Sequence, residues 1–347
     1  MKNVLLLLAA LLLGACDAQK ESVSVDPVAE SLSENKGNVT ELLVYSGRKA
    51  AYATPLFELF EKQTGIKIIV KEGKTAGLAN IILTEGDNSP ADLFFAQDSS
   101  NLGALSAAGS LEVLPAEITD QIDSRFRSAK NEWVGTSGRA RVLVYNKKLV
   151  KAADLPKSML DLTEPKWKNK LGWAPKNGSF QSHVTAMIQV LGVEKTTHWL
   201  KAMKANGIAD YPKNTPIVKA VAEGKIAAGL VNHYYLYKVR KDMKEAQDAE
   251  NHFFADGDIG MFINISGIAL IKSSKKKEAA KKFISFLLSK EAQEIFKEVN
   301  YEYPLAAGVK AYADLKPLAE IDPVDCNLED LDKVELTQKV LEDAGCL

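Results

Sequence analysis

The stretch ELLVYSGRKAAYATPLFELFEKQTGIKIIV, residues 41–70, indicates the fold class. Residues 42–45 are apolar and favour a strand, and residues 55–64 carry apolar side chains at helical spacing up to Gly65. Residues 66–70 are apolar again and predict a second strand. A helix between two strands is typical of parallel strands joined by a crossover, so the stretch predicts an α/β fold.

The same alternation continues along the chain. A helix is predicted over residues 76–85, and strands are predicted over residues 92–95, 141–145, 226–231 and 268–271. This order predicts mainly parallel sheets with helices on both faces. Polar clusters follow three strands, at residues 46–48, 97–100 and 232–235. Ligands of such sheets bind beyond the carboxyl ends of the strands, so we expect a site there.

Length and charge narrow the function classes. The chain has 347 residues and a net charge of −1, with both signs mixed throughout. A single core stops growing near 250–300 residues, so two lobes are expected. A nearly neutral chain with mixed charges does not predict the basic surface that nucleic-acid-binding proteins carry. No nucleophile motif, phosphate-binding loop, zinc-binding motif or paired-carboxylate pattern recommends an enzyme.

The first 40 residues predict export. Residues 1–15 have a charged start, an apolar run and small residues, as in a signal peptide. The sequence Leu13-Gly-Ala-Cys16 resembles the bacterial lipobox, which implies that Cys16 is lipidated and that residues 16–40 form a flexible tether. Asp17 resembles the residue that retains lipoproteins at the inner membrane. The alternative is an ordinary cleaved signal with an incidental cysteine.

Two further cysteines, Cys326 and Cys346, lie near the C-terminus. An exported protein folds in an oxidising compartment, where thiols pair. We therefore predict a disulfide between them.

The adjacent tyrosines Tyr234 and Tyr235 are the strongest chemical signal. Phenolate oxygens suit a hard trivalent cation such as Fe³⁺. Ionising a phenol with a pKa near 10 costs about 4 kcal/mol at neutral pH, which a bound cation would offset. The alternative is a strand end with one tyrosine packed inside and the other facing water.

An ordered series of short motifs carries a family resemblance. The series comprises Val44-Tyr-Ser-Gly-Arg48, residues 85–92, Phe94-Phe-Ala-Gln97, Ser137-Gly-Arg-Ala-Arg141, Val144-Tyr-Asn146, Asn232-His-Tyr-Tyr235 and Tyr303-Pro304. The chain resembles the ferric-ion-binding periplasmic proteins of bacterial ABC iron importers, a transferrin-like group of two-lobed solute-binding proteins. The resemblance implies a type II-like fold whose lobes, residues 41–137 with 265–315 and residues 138–264 with 316–347, are joined by crossing strands and close over a ligand.

The resemblance also implies site residues. Tyr234 and Tyr235 match the family's metal-binding tyrosines, and Asn232 matches an anion-contacting asparagine. Where many members have a histidine after the first strand, this chain has Arg48. Where many have a carboxylate after the third strand, it has Gln97, and a phenylalanine, Phe180, stands where some have a further tyrosine.

Two phenolates leave iron short of donors and with one positive charge uncompensated. Carbonate or another synergistic anion would supply the missing donor atoms and the compensating negative charge. The planar guanidinium of Arg48 matches the oxygens of such an anion. Arg139 and Ser179 are secondary candidates for the anion. A salt bridge to a carboxylate is the alternative for either arginine. Possible additional ligands are Tyr237, Gln97 and Asp98, with packing the alternative for Tyr237.

The sequence thus predicts a monomeric, lipid-anchored receptor in the periplasm. It favours anchoring at the inner membrane over anchoring at the outer membrane. The receptor would bind ferric iron and deliver it to an ABC permease of the inner membrane. One alternative is a binding protein for another small ligand, either an oxyanion or an organic molecule. A secreted enzyme on the same fold is the other.

Overall fold

The computed structural model describes residues 39–312, 315–331 and 333–347. The predicted signal peptide, Cys16 and nearly all of the predicted tether lie outside these residues. Within the described ranges, no helix combines the length and apolar character needed to cross a membrane.

Ten strands form the sheet framework of the described residues. They are β1 (Glu41–Ser46), β2 (Lys67–Glu72), β3 (Leu93–Ala96), β4 (Trp133–Asn146), β5 (Leu171–Trp173), β6 (Ala209–Asp210), β7 (Ala228–Asn232), β8 (Ala249–His252), β9 (Ile263–Leu270) and β10 (Tyr303–Pro304). The α-helices are α1 (Ala50–Thr64), α2 (Thr75–Glu85), α3 (Ser100–Ala107), α4 (Ala116–Thr119), α5 (Gly178–Leu191), α6 (Val193–Ala205), α7 (Asn214–Ala222), α8 (Tyr234–Asp242), α9 (Lys277–Leu287), α10 (Lys290–Asn300) and α11 (Val334–Asp343). This architecture confirms the α/β prediction.

The strand directions differ from the prediction. The order is β2-β1-β3-β9-β4-β7-β5-β6, with β8 and β10 also paired to β4. The β1–β2, β1–β3, β5–β6 and β5–β7 pairs are parallel, as expected from their helical crossovers. Each pairing of β4 or β9 is antiparallel, so the sheets are mixed and the prediction of mainly parallel sheets was wrong. Strands β4 and β9 pair with each other in opposite directions, and neither directly follows an α-helix.

Strand β4 links the two ends of the framework. Residues 133–140 pair with β9, and residues 141–146 pair with β7 and β8. All of its 14 residues are buried, which agrees with a strand covered on both faces. Gly135 permits the close packing, because a Cβ there would come within 2.6 Å of the Phe126 carbonyl oxygen. The described residues from 39 onward form one compact unit, and the predicted lobe boundaries stay a prediction.

Helix α1 begins earlier than the sequence suggests. The apolar side chains at helical spacing predicted a helix only from residue 55 onward. The structure begins the helix at Ala50 and keeps Pro55 inside it. This earlier start places Tyr52 in the first turn, directly beyond the carboxyl end of β1.

Neither C-terminal cysteine forms the predicted disulfide, because Cys326 and Cys346 are both free thiols. Cys326 lines a cavity with Phe126 and Ile263. Cys346 follows α11 and lies near Lys204 and Asp210. The two thiols therefore occupy different surroundings although they are close in sequence.

Candidate functional site

A cavity of about 370 Å³ opens where several strands end. Seven residues singled out from the sequence line it: Gln97, Asp98, Arg139, Ser179, Asn232, Tyr234 and Tyr235. Gln97 and Asp98 follow β3, Arg139 lies on β4, and Asn232 is the last residue of β7. The expectation that polar clusters gather beyond the strand ends is therefore met.

The tyrosine pair begins a helix instead of ending a strand. Strand β7 ends at Asn232, and Tyr234 and Tyr235 are the first two residues of α8. Their ring centroids are 4.3 Å apart. Burial raises the pKa of Tyr234 well above its ordinary value, and the neighbouring Tyr235 raises it further. A cation would reverse this effect, and the partial positive charge of a helix N-terminus also favours phenolate.

His233 fixes the start of α8. The Ala140 backbone N–H donates to its Nδ1 at 3.1 Å, so Nε2 carries the proton and donates to the Tyr301 carbonyl at 2.8 Å. Burial lowers the pKa of His233 to about 4, which keeps the ring neutral. This side chain ties the tyrosine pair to β4 and to the segment after α10.

Arg139 and Arg141 bring positive charge to the cavity. They lie two residues apart on β4 and therefore share a face. Arg139 Nη2 donates to the carbonyls of Gln97 and, at 2.9 Å, Ile265. Arg141 Nη1 donates to Asn232 Oδ1 at 3.1 Å, while its buried Nε and Nη2 have no hydrogen-bond partner among the described residues. Burial lowers the pKa of Arg141 to about 10, so it is still charged at neutral pH.

Arg48 does not line the cavity, although its neighbours Gly47 and Lys49 do. Its guanidinium forms a buried two-point ion pair with Glu302 and also reaches Gln97 Oε1 at 3.3 Å. Burial opposes the charge of Glu302, but Arg48 holds the pKa of this carboxyl below its ordinary value. The alternative considered for Arg48, a salt bridge, is what the structure has.

The N-terminus of α5 forms another wall. Asn177 caps the helix, accepting from the Ser179 backbone N–H at 3.1 Å and from its hydroxyl at 2.6 Å. Phe180 packs edge-on against Trp173 and is almost fully buried, so it belongs to the core. A helix N-terminus next to Arg141 is suited to an anion.

The remaining candidates divide between the cavity and the core. Asp98 lies just before α3 and accepts hydrogen bonds from the Ser100 hydroxyl and the Asn101 side-chain amide in the first turn of that helix, both at 2.7 Å. Tyr237 is 8% exposed, and its ring packs against those of Tyr301 and Tyr312. This position agrees with the packing alternative for Tyr237.

Three neighbours of the site were not singled out from the sequence. Arg141 could have been found, because it repeats Arg139 at strand spacing. Lys238 lies one helical turn after Tyr234 and could have been placed on the same face. Tyr52 carries no local signal, since its partner Lys238 is 186 residues away.

Comparison with known proteins gives a family match over most of the chain. The sequence matches the family of bacterial extracellular solute-binding proteins over residues 46–294. It is 36% identical over 330 residues to the major ferric iron-binding protein of Neisseria meningitidis serogroup A, covering 94% of this chain and 99% of that protein.

Two solved structures resemble the fold closely. Iron-bound HitA from Pseudomonas aeruginosa superimposes with a TM-score of 0.79 at 35% identity, covering 88% of this chain and 99% of HitA. Trichodesmium IdiA (FutA) in complex with iron and citrate superimposes with a TM-score of 0.77 at 33% identity, covering 88% of this chain and 100% of that one. The predicted type II periplasmic binding fold is thereby confirmed. The chain belongs to the bacterial extracellular solute-binding proteins, in the group that contains these ferric-ion-binding relatives.

Proposed function

We propose that this protein binds ferric iron through the phenolates of Tyr234 and Tyr235. The single observation that carries the proposal is the position of these adjacent phenols, at the N-terminus of α8 and facing a cavity with Arg139 and Arg141. Hard phenolate oxygens suit Fe³⁺. The names of the relatives and the iron in the two solved structures support the same cargo.

The remaining coordination positions would be filled in part by a synergistic anion such as carbonate. Its binding groups would be Arg139, Asn232 and Ser179, together with the unpartnered nitrogens of Arg141. A guanidinium donates two parallel hydrogen bonds to such an anion. Arg48 would have to release Glu302 to take this role, so we assign the two parallel hydrogen bonds to the anion to Arg141. Gln97 and Asp98 are the nearest further oxygen donors.

The biological setting follows from the family and the N-terminus. We propose that residues 41–137 with 265–315 and residues 138–264 with 316–347 act as two lobes that close over the iron. The loaded, monomeric protein would deliver it to an ABC permease of the inner membrane. Lipidation of Cys16 would hold the protein at the periplasmic face of that membrane.

Metal analysis and a visible spectrum test the proposal. Ferric loading of the purified protein is expected to give one iron per chain and a phenolate-to-iron charge-transfer band. Tyr234→Phe and Tyr235→Phe should each remove most of the binding. Tyr211→Phe is the matched control, since it deletes a phenol outside the cavity. Wild-type iron titrations of both cavity variants would refute the proposal.

A second candidate, an oxyanion receptor without metal, is favoured by the charge of the cavity. Among the described residues, its lining includes Lys49, Arg139 and Arg141 against one carboxylate, Asp98. Calorimetry with carbonate and phosphate in chelator-treated buffer separates the two functions. Tight anion binding with no colour on ferric addition would favour the second.

A further inference from the structure

Tyr52 is a third phenol in the lining of the cavity. It lies in the first turn of α1 and lines the same cavity as Tyr234 and Tyr235, yet it belongs to a distant part of the chain. Its ring is half-buried. The cavity therefore holds three phenols, contributed by the segments after β1 and β7.

Lys238 connects Tyr52 with the tyrosine pair. Its Nζ donates a 2.7 Å hydrogen bond to Tyr52 Oη. The same nitrogen lies 3.9 Å from the ring centroid of Tyr52 and 4.6 Å from that of Tyr234. The two phenol rings thus flank one ammonium group. A phenolate oxygen has lone pairs enough to accept this hydrogen bond and bind a metal at once.

The electrostatic surroundings of Tyr52 resemble those of Tyr234. Burial raises the pKa of the Tyr52 phenol, and Tyr235 is the next largest cause. Burial and Tyr235, in that order, are also the main causes for Tyr234. Because Tyr235 acts electrostatically on both Tyr52 and Tyr234, a trivalent cation close to the three phenols would favour ionisation of each.

Charge balance in the closed site favours a third phenolate. Among the described residues, Lys49, Arg139, Arg141 and Lys238 with Fe³⁺ bring seven positive charges to the site, and Asp98 with carbonate brings three negative charges. Three phenolates reduce the balance to +1. Two phenolates would leave +2 in a region where burial makes charge costly.

We propose that Tyr52 is a third phenolate donor to the bound ferric ion and that Lys238 holds its oxygen in position. This inference rests on the proposed function. On binding, the Tyr52 O–H bond breaks, its proton passes to solvent and the oxygen lone pair forms the bond to iron. The iron remains ferric throughout.

The test compares Tyr52→Phe with wild type after ferric loading in bicarbonate buffer. The charge-transfer absorbance per bound iron should fall by about one third, as three phenolate contributions become two, and the band should move to longer wavelength. One fewer proton should be released per iron in weakly buffered titrations. Lys238→Met keeps the phenol, so its absorbance per iron should equal wild type while its affinity falls.

The outcomes separate this inference from the proposed function. A spectrum and proton count unchanged in Tyr52→Phe, even with weaker binding, would overturn the third donor and leave the iron function standing. Absence of a coloured complex in wild type would refute the proposed function itself. Tyr211→Phe controls for phenol deletion, and far-UV circular dichroism checks that each variant is folded. If Tyr52→Phe fails to fold, resonance Raman of wild type carrying isotope-labelled tyrosine counts the bound phenolates directly.

Discussion

Arg48 and Glu302 form a two-point ion pair, with Nη2 2.8 Å from Oε2 and Nη1 3.1 Å from Oε1. The exposed fractions of their side chains are 0% and 2%. Ser137 donates a further hydrogen bond to Glu302 at 2.7 Å. The pair joins the segment after β1 to the segment after α10, next to Tyr301, whose carbonyl accepts the hydrogen bond from His233.

Breaking this ion pair should mainly lower the free energy of unfolding. Its effect on the dependence of iron binding on the anion should be smaller. Arg48→Ala leaves the buried Glu302 carboxylate uncompensated, so we expect a loss of about 3–5 kcal/mol in the free energy of unfolding. Urea denaturation of the metal-free protein measures it. The double variant Arg48→Met with Glu302→Met should lose less than Arg48→Ala. A single variant within about 0.5 kcal/mol of wild type would contradict this, since that is the range of neutral surface changes.

Iron retention should depend on pH through the phenols. Each phenol must lose its proton to bind iron, so protons compete with the metal and apparent affinity falls as pH falls. Competition titrations with a chelator whose own protonation is known would measure the slope. Tyr234→Phe should give a shallower slope, because one fewer proton is exchanged. An affinity that is constant from pH 8 to 5 would contradict phenolate ligation.

The anion should be held by Arg141. Arg141→Met removes the partly unpartnered guanidinium, so ferric loading should weaken and lose its dependence on bicarbonate. Arg141→Lys keeps the charge without the fork and should recover only part of the binding. Arg127→Met, which changes a partly exposed arginine remote from the cavity lining, is the control. Retained bicarbonate dependence in Arg141→Met would assign the anion to another group.

Acid should destabilise the metal-free protein through His183. Burial lowers the pKa of His183 to about 3, whereas an unfolded histidine titrates near 6.5. Between these values the unfolded chain binds more protons, so the free energy of unfolding falls as pH falls through this window. The loss should reach roughly 3–5 kcal/mol at the lower end. His183→Gln should flatten this part of the curve, and the exposed His198→Gln should not.

The two C-terminal thiols should alkylate without prior reduction. Mass spectrometry of the denatured protein should find one label on Cys326 and one on Cys346. In the native protein labelling should be slow, because burial raises the pKa of each thiol to about 11. Labels that appear only after a reductant is added would instead establish the disulfide.

Local pattern predicted five of the seven cavity residues, those at the ends of β3 and β7, because strand ends meet at one edge of a sheet; Arg139 and Ser179 were instead secondary candidates for the anion. It missed the pairing of Arg48 with Glu302, which are 254 residues apart. It also missed the direction of β4 and β9, since periodicity identifies a strand but not its neighbour. The metal-binding role of the tyrosine pair stays a prediction, and residue type alone could not point to Tyr52, the third phenol of the cavity, because it comes from α1.

Strand β4 restricts how the sequence of this protein can change. Beyond the register shift between Gly135 and Ser137, its side chains alternate between faces, so inserting or deleting one residue between Ser137 and Arg139 would turn both arginines away from the cavity and bring Ala140 toward it. The same shift would break the Ala140–His233 hydrogen bonds and release the start of α8. Length changes are therefore excluded from the middle of this strand, and divergence in chain length must fall in the surface connections.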